Sequence, residues 1–287
     1  MRIERRPGFP EAGSPGLFWL GQAGFWIETG RHRILIDPYL SDSLAKKYAG
    51  AANDHRRMMA PPIGVGELPR PDLVLVSHAH TDHMDPETLR PLAARFPDMP
   101  ILVPSARLTI ALERIGDTAN LIGVDAGETV APIEGITVTA FPAAHERLER
   151  DADGHHVFLG YGIRASGLSF YHSGDTIPFE GLATAVRAFG PDIALLPVNG
   201  RDAARLAAGI PGNLTLAEAV ALATASGAAH LVPHHFGMFA FNTVDEAEID
   251  ALARTTARPR IVKPIAGETL ALLDCDNRTD AALIRGA

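Results

Sequence analysis

The segment Ser77-His78-Ala79-His80-Thr81-Asp82-His83 directly follows the apolar run Leu73-Val74-Leu75-Val76. That run predicts a buried strand, so the polar residues stand at a strand end. Residues i and i+2 of an extended segment point the same way, so His78 and His80 can reach one metal ion together. Asp82 and His83 can then face a second ion. Imidazole nitrogen and carboxylate oxygen suit zinc, iron or manganese, which favours a metal site over a histidine-rich surface loop.

Length and composition predict one soluble α/β domain. The 287 residues are 46% apolar and 21% charged, which is ordinary for a globular enzyme with a large core. The net charge of −8 argues against a nucleic-acid partner but allows a small anionic substrate. Neither a signal peptide nor a membrane span is predicted, and one cysteine, Cys275, excludes an internal disulfide. We therefore expect a single cytoplasmic domain over 1–287, with peripheral tails at 1–15 and 275–287.

Short apolar runs predict strands along the whole chain, and helical signals fall between the later ones. Asp85 before Pro86 predicts a helix start. Thr215 and Thr243 each precede a glutamate by three residues, which is the capping-box spacing. The irregular stretch 41–71 is predicted to be a functional loop. This order of elements predicts an α/β protein with two mixed β-sheets flanked by helices.

Further ligand candidates lie at the ends of later predicted strands. His145 follows Thr139–Ala144, Asp175 lies in Ser173-Gly174-Asp175-Thr176, and His235 lies in Pro233-His234-His235-Phe236. Each of these side chains alone is a weak signal. Together with the residues from His78 to His83 they complete the ligand set of a two-metal site.

The order His-x-His-x-Asp-His, a distant His, Gly-Asp-Thr and a final His resembles the metallo-β-lactamase superfamily, from about Gly16 to Thr269–Leu272. The resemblance implies a four-layer αβ/βα sandwich. It also implies two divalent ions, zinc or manganese: one held by His78, His80 and His145, the other by Asp82, His83 and His235, with Asp175 bridging both.

The same resemblance assigns roles to three neighbouring residues. The pattern Pro-x-His-aromatic-Gly-x-Phe favours His235 over His234 as the last ligand. His172 is expected to pack beside the site rather than to bind metal. Asp37 is expected to hydrogen-bond a ligand histidine, with a turn-forming aspartate before Pro38 as the alternative.

Two ions that share a water lower the pKa of that water towards neutrality, and the resulting hydroxide can attack a carbonyl or phosphorus centre. The ions also polarise the substrate oxygen. Asp82 is predicted to be catalytic as well as ligating, because it can orient that hydroxide or accept a proton.

Within the superfamily, the chain most resembles the L-ascorbate-6-phosphate lactonase (UlaG-like) group. The resemblance rests on these segments: 19–24, 55–62, 196–202, 212–215 and 233–239. It implies hydrolysis of a small cyclic ester, plain or phosphorylated, with Arg201, Arg57 and Arg56 as candidates to grip a phosphate. A metal-dependent phosphodiesterase and a non-catalytic metal- or ligand-binding protein are the alternatives. The expected partner is a small molecule rather than nucleic acid or membrane, and a homo-oligomer is allowed.

Overall fold

Two mixed β-sheets form the centre of the structure, a computed structural model that describes residues 1–273. The strands of these residues are β1 (Arg2–Pro7), β2 (Gly16–Gly21), β3 (Gly24–Glu28), β4 (Arg33–Ile36), β5 (Leu73–Leu75), β6 (Pro100–Pro104), β7 (Asn120–Val124), β8 (Thr129–Ile133), β9 (Ile136–Pro142), β10 (Leu159–Ala165), β11 (Leu168–His172), β12 (Ile193–Pro197), β13 (His230–His234), β14 (Arg260–Ile261) and β15 (Glu268–Leu273).

The helices connect these strands and cover the outer faces of the sheets. They are α1 (Ser43–Lys47), α2 (Pro86–Arg95), α3 (Leu108–Ile115), α4 (Leu182–Phe189), α5 (Ala203–Ala207), α6 (Leu216–Ser226) and α7 (Glu246–Thr255), with short 3-10 turns at Val65–Glu67 and Ser105–Arg107. The helices α2 and α3 pack on one sheet, and α4 and α6 pack on the other.

Each sheet combines an antiparallel part with a parallel part. The first sheet has the order β1-β15-β2-β3-β4-β5-β6-β7 and is parallel from β4 to β7. The second has the order β14-β13-β12-β11-β10-β9-β8 and is parallel from β11 to β14. The predicted fold class, two mixed sheets flanked by helices, is confirmed.

The main core lies between the two sheets. Apolar side chains from β2 to β5 meet those from β9 to β13, with Phe25, Ile27, Tyr161 and Phe170 fully buried there. A second apolar layer lies between the first sheet and the helices α2 and α3. The strand β5 is buried on both faces, which explains its continuous apolar sequence.

Most of the predicted helix boundaries are confirmed. Asp85 caps α2, with its side chain accepting a hydrogen bond from the Glu87 N–H. Thr215 and Glu218 form the predicted capping box of α6. The prediction at Thr243 is wrong: Asp245 caps α7 instead, while the Thr243 hydroxyl accepts a hydrogen bond from Gly237 N at 2.8 Å. The capping-box spacing did not reveal that this threonine closes the preceding loop.

Two stretches without predicted elements contain secondary structure. Residues 41–71 include α1 and a 3-10 turn, and the predicted N-terminal tail 1–15 includes β1, an edge strand paired with β15. The predicted tail 275–287, with Cys275, lies outside the described residues. Within 1–273, no helix combines the length and hydropathy needed to cross a membrane.

The topology brings several strand ends together at one edge of the sandwich. Because β4 and β5 are parallel, the residues that follow them, Asp37 and Ser77, lie side by side. The parallel strands β11 and β13 of the second sheet likewise end just before Asp175 and His235. Carboxyl ends of parallel strands are the usual place for a binding site in α/β proteins.

Candidate metal centre

Seven side chains at this edge form two adjoining groups. The first group comprises His78, His80, His145 and Asp175, and the second comprises Asp82, His83 and His235. Within each group, one potential ligand atom per residue lies within 4.8 Å of all the others. The structure thus brings all seven predicted ligands together, in the grouping expected from the sequence. Their binding of metal stays a prediction.

Asp175 lies between the two groups. Its Oδ2 is 3.6 Å from His145 Nε2 in the first group. The same oxygen is 3.4 Å from His83 Nε2 and 3.2 Å from His235 Nε2 in the second. One carboxylate therefore faces the ligands of both proposed ions, which is the position that a bridging ligand requires.

Gly174 allows Asp175 to approach this closely. Its φ of +59° lies in the left-handed region, and a Cβ at this position would be 2.9 Å from Ser77 Cβ. The buried imidazole of His172 fixes the same turn. Its Nδ1 accepts a hydrogen bond from Gly174 N at 3.1 Å, and its Nε2 donates to Ala23 O at 2.9 Å. His172 therefore positions the turn that carries Asp175.

Hydrogen bonds fix the tautomers of three of the histidines. The acceptors Asp37 Oδ2 and Gly212 O require His83 and His145 to donate through Nδ1, at 2.8 and 2.9 Å. Ser77 gives its hydroxyl proton to Asp37 at 2.5 Å, so Ser77 Oγ accepts from His78 Nδ1 at 3.0 Å. The Nε2 atoms of all three rings are left to face the cluster. Oriented imidazoles of this kind are characteristic of metal ligands.

Burial keeps two of the ligand histidines neutral. Loss of water around the ring lowers the pKa of His78 well below its ordinary value. Burial likewise lowers the pKa of His145 to about 4, against the opposing charge of Asp175. A neutral imidazole offers the lone pair that a metal ion needs.

His83 carries the opposite shift because carboxylates surround it. Burial would lower its pKa, but the charges of Asp175, Asp37 and Asp82 outweigh burial and raise that pKa well above the ordinary value. Burial acts to raise the pKa of Asp175, yet the neighbouring His235 and His83 hold it well below its ordinary range. The second group therefore attracts positive charge, and a divalent ion can replace the proton on His83.

The donor set fits divalent metal ions. His78 Nε2, His83 Nε2 and Asp175 Oδ1 are buried and have no hydrogen-bond partner among residues 1–273. Leaving such atoms unsatisfied costs about 1–3 kcal/mol each, so a buried cluster of them calls for a ligand. Five imidazoles and two carboxylates suit zinc and are compatible with manganese.

His234 and His235 differ clearly in position. His235 Nε2 lies in the cluster, 3.2 Å from Asp175 Oδ2 and 3.7 Å from Asp82 Oδ2. The ring of His234 points the other way and stacks on His172, with centroids 4.6 Å apart and planes 7° apart. This geometry agrees with the preference for His235 as the ligand.

A pocket of about 220 Å³ opens over the cluster. It is lined by both polar and apolar side chains: the proposed ligands His80, Asp82 and Asp175 lie beside Leu44, Tyr48, Ile210, Pro211, Phe239 and Phe241. Lys47 and Arg114 also line it. Neither cation has a carboxylate within salt-bridge distance among the described residues, so both are available to an anionic group.

Arg114 also supports the segment that carries the ligands. Its Nη1 donates to Met84 O at 3.3 Å and to Ala79 O at 2.5 Å. The Arg114 guanidinium, which extends from α3, thus binds the segment at Ala79 and at Met84, on either side of His80, Asp82 and His83. Sequence patterns do not select Arg114 or Lys47, because nothing near them in the chain suggests a site.

The three arginines predicted to bind a phosphate do not line the pocket that residues 1–273 form, and each has other hydrogen-bond or ion-pair partners. Arg201 forms a two-pronged ion pair with Glu218, at 2.6 and 2.7 Å. Arg57 is half-buried and donates to the backbone carbonyls of Tyr39 and Ser41. Arg56 pairs with Asp54 on the surface. Substrate binding by these arginines stays a prediction that would require rearrangement.

Sequence reasoning also missed Gln22, in the two-residue turn between β2 and β3. Its side chain is fully buried, and its Nε2 donates to Asp82 Oδ2 at 2.7 Å. The same nitrogen lies 3.2 Å from His235 Nε2. The segment 19–24 resembles the UlaG-like group, but no pattern in it indicates contact with residues so distant in the chain.

Comparisons with known proteins show which family the chain belongs to. The family described as "Beta-lactamase superfamily domain" matches residues 32–236. A "UPF0173 metal-dependent hydrolase" from Methanosphaerula palustris is 30% identical over 88% of this chain and 97% of its own. A protein of the same name from Pyrococcus furiosus is 30% identical over 88% of this chain and 98% of its own.

Solved structures share the fold at lower identity. A possible metal-dependent hydrolase from Veillonella parvula has a TM-score of 0.72 at 16% identity, covering 90% of this chain and 100% of its own. An isothiocyanate hydrolase from Delia radicum gut bacteria has a TM-score of 0.70 at 19% identity, covering 90% and 98%.

Proposed function

The chain belongs to the beta-lactamase superfamily domain family and, within it, to the UPF0173 metal-dependent hydrolases, and on that premise we propose that it hydrolyses a small cyclic ester at a centre of two divalent ions. The observation that carries the proposal is the cluster of seven buried or pocket-facing ligand side chains, with Asp175 between its two groups. The resemblance to the UlaG-like lactonases supplies the substrate class.

The residues proposed for each ion follow the two groups. His78, His80 and His145 hold one ion; Asp82, His83 and His235 hold the other; Asp175 serves both. When bound, zinc or manganese ions supply Lewis acidity and activate water for attack on a carbonyl. Asp37 and Ser77 keep the ligand rings in the required tautomer.

Asp82 is the proposed catalytic carboxylate. It lines the pocket, and its side chain is 16% exposed, whereas that of Asp175 is 3% exposed. The charges of His83 and His235 outweigh burial and lower the pKa of Asp82. It is therefore ionised near neutrality and can orient a water molecule or accept its proton.

The shape and charge of the pocket support a small ester rather than a polymer. Its volume suits a small molecule, and the apolar side chains beside the proposed ligands can pack against the carbon skeleton of such an ester. A carboxylate or phosphate on the substrate can be received by Lys47 and Arg114. These two cations replace Arg201 and Arg57 in the proposal, because Lys47 and Arg114 line the pocket that residues 1–273 form, whereas Arg201 and Arg57 do not.

A substrate panel tests this proposal. We expect the metal-loaded protein to hydrolyse plain and phosphorylated lactones, measured by proton release at fixed pH. His80→Ala should abolish hydrolysis because it removes a ligand of the first ion. Lys47→Met should raise KM for phosphorylated lactones about tenfold and leave KM for plain lactones unchanged.

The panel also separates the alternatives. It includes bis-p-nitrophenyl phosphate as a phosphodiester. Turnover of that compound with none of any lactone would replace the proposal by phosphodiester hydrolysis. A fully metal-loaded protein that hydrolyses neither class would favour a non-catalytic binding role.

A further inference from the structure

Gln22 occupies an unusual place in the centre. Its side chain is fully buried, and its backbone φ of +50° lies in the left-handed region, where a non-glycine residue is uncommon. Such strain costs of order 1–3 kcal/mol and persists only where the surroundings impose it. Here the Gln22 carbonyl accepts hydrogen bonds from His235 N at 2.9 Å and from Trp19 Nε1 at 3.0 Å. The backbone of Gln22 is thus fixed to the segment that carries His235.

The amide of Gln22 reaches into the second group of ligands. Nε2 is 2.7 Å from Asp82 Oδ2 and 3.2 Å from His235 Nε2, while these two ligand atoms are 3.7 Å apart. Asp82 Oδ2 can accept the amide proton and still bind an ion, but His235 Nε2 has a single lone pair in the tautomer that binds metal. The amide N–H and an ion cannot share that lone pair, so the amide must change its orientation at His235 when the ion binds.

The other end of the amide is free to take part in that change. Oε1 is buried and lacks a hydrogen-bond partner within residues 1–273. The terminal torsion of glutamine is broad and roughly two-fold, so a half-turn exchanges Nε2 and Oε1 with little other movement. This rotation of the amide breaks no hydrogen bond of Oε1, because Oε1 has none within residues 1–273. It replaces the N–H donor, which repels a cation, by the carbonyl oxygen, which attracts one.

We propose that Gln22 is an additional residue of the second metal site: it holds Asp82 and His235 through Nε2 without the ion and presents Oε1 to the ion when it binds. This inference rests on the proposed two-ion centre and deepens it. Asp82 and His235 lie 60 and 213 positions after Gln22 in the chain, so the three side chains meet only in the folded structure.

Two substitutions separate the role of the oxygen from that of side-chain size. Gln22→Met keeps an unbranched chain of similar length without the amide. Gln22→Glu keeps an oxygen in place of Oε1 and adds a negative charge. Asn199→Leu is the control, because this buried amide donates to Asn242 Oδ1 and to none of the proposed ligands. Circular dichroism and thermal melting establish that each variant folds.

The measurement is Zn²⁺ binding to the metal-free full chain, by titration against a chromogenic chelator and by elemental analysis after dialysis. We expect Gln22→Met to weaken one of two binding steps about 10- to 100-fold and to leave the other within about twofold. Gln22→Glu should bind the second ion at least as tightly as the unmodified protein, and Asn199→Leu should match it.

Three results would overturn the inference while leaving the proposed function standing. One is unchanged binding of both ions by Gln22→Met. Another is tighter binding of the second ion by that variant, which would make the amide only a competitor. The third is equal weakening by Gln22→Met and Gln22→Glu, which would reduce the residue to a spacer. If the unmodified protein itself binds no Zn²⁺, the proposed two-ion centre fails, and the inference fails with it.

Discussion

Asp175→Asn should reduce the metal content from two ions per chain to one or none and lower hydrolysis on the order of 10³-fold. The amide keeps the size of the side chain but removes the charge that lies 3.2 to 3.6 Å from three imidazole nitrogens. Electrostatic stabilisation by bound ions amounts to several kcal/mol in the transition state, and about 4 kcal/mol corresponds to that factor. Elemental analysis and initial rates of ester hydrolysis measure the two effects.

Asp125→Asn provides the matched control for this variant. Asp125 also accepts from a histidine, since His156 Nδ1 lies 3.0 Å from Asp125 Oδ1, but neither residue lines the pocket or joins the cluster described in 1–273. This variant should keep both ions and full activity. If Asp175→Asn also retained two ions and its rate, Asp175 would not be a bridging ligand.

His235→Ala and His234→Ala should have opposite effects, although the two residues are adjacent. His235→Ala removes a nitrogen from the second group, so we expect loss of one ion and a fall in hydrolysis of about 10²- to 10³-fold. His234→Ala should keep both ions, because its ring stacks on His172 away from the cluster. We expect His234→Ala to lower the free energy of unfolding by about 1–3 kcal/mol, because the substitution leaves a cavity at a fully buried position.

Elemental analysis and urea unfolding of both variants distinguish these outcomes. Loss of one ion from His234→Ala with retention of both by His235→Ala would reverse the assignment. Because both histidines are buried at the end of β13, general damage to this strand would lower metal content in both variants alike.

The sequence was sufficient to predict the fold class and the seven candidate ligands. Dense ligand chemistry from His78 to His83 follows a strand that is buried on both faces, and this combination is rare outside metal sites. His145, Asp175 and His235 were weaker signals individually, and the resemblance to a family linked them. The structure adds what makes the set coherent, namely the tautomers that Asp37, Ser77 and Gly212 impose.

Other features could not be read from the chain because they depend on distant contacts. Gln22 lies in a turn with no ligand pattern, and only the packing of β2 against the segment after β13 brings it to Asp82. Arg201 has the local surroundings of a phosphate-binding arginine, yet Glu218 of the α6 capping box takes both ends of its guanidinium. Thr243 differs from these cases, because its hydroxyl partner is local: it closes the loop from Gly237, and Asp245 caps the helix instead.

Metal content measured together with activity tests whether this chain is a two-metal hydrolase. The full chain, purified without chelator, should contain about two transition-metal ions per molecule by elemental analysis and should hydrolyse a lactone. Removal of the ions by a chelator should abolish hydrolysis, and re-addition of Zn²⁺ or Mn²⁺ should restore it in proportion to the ions bound. Protein that contains no transition metal, or that hydrolyses the lactone equally well after the ions are removed, would contradict the account.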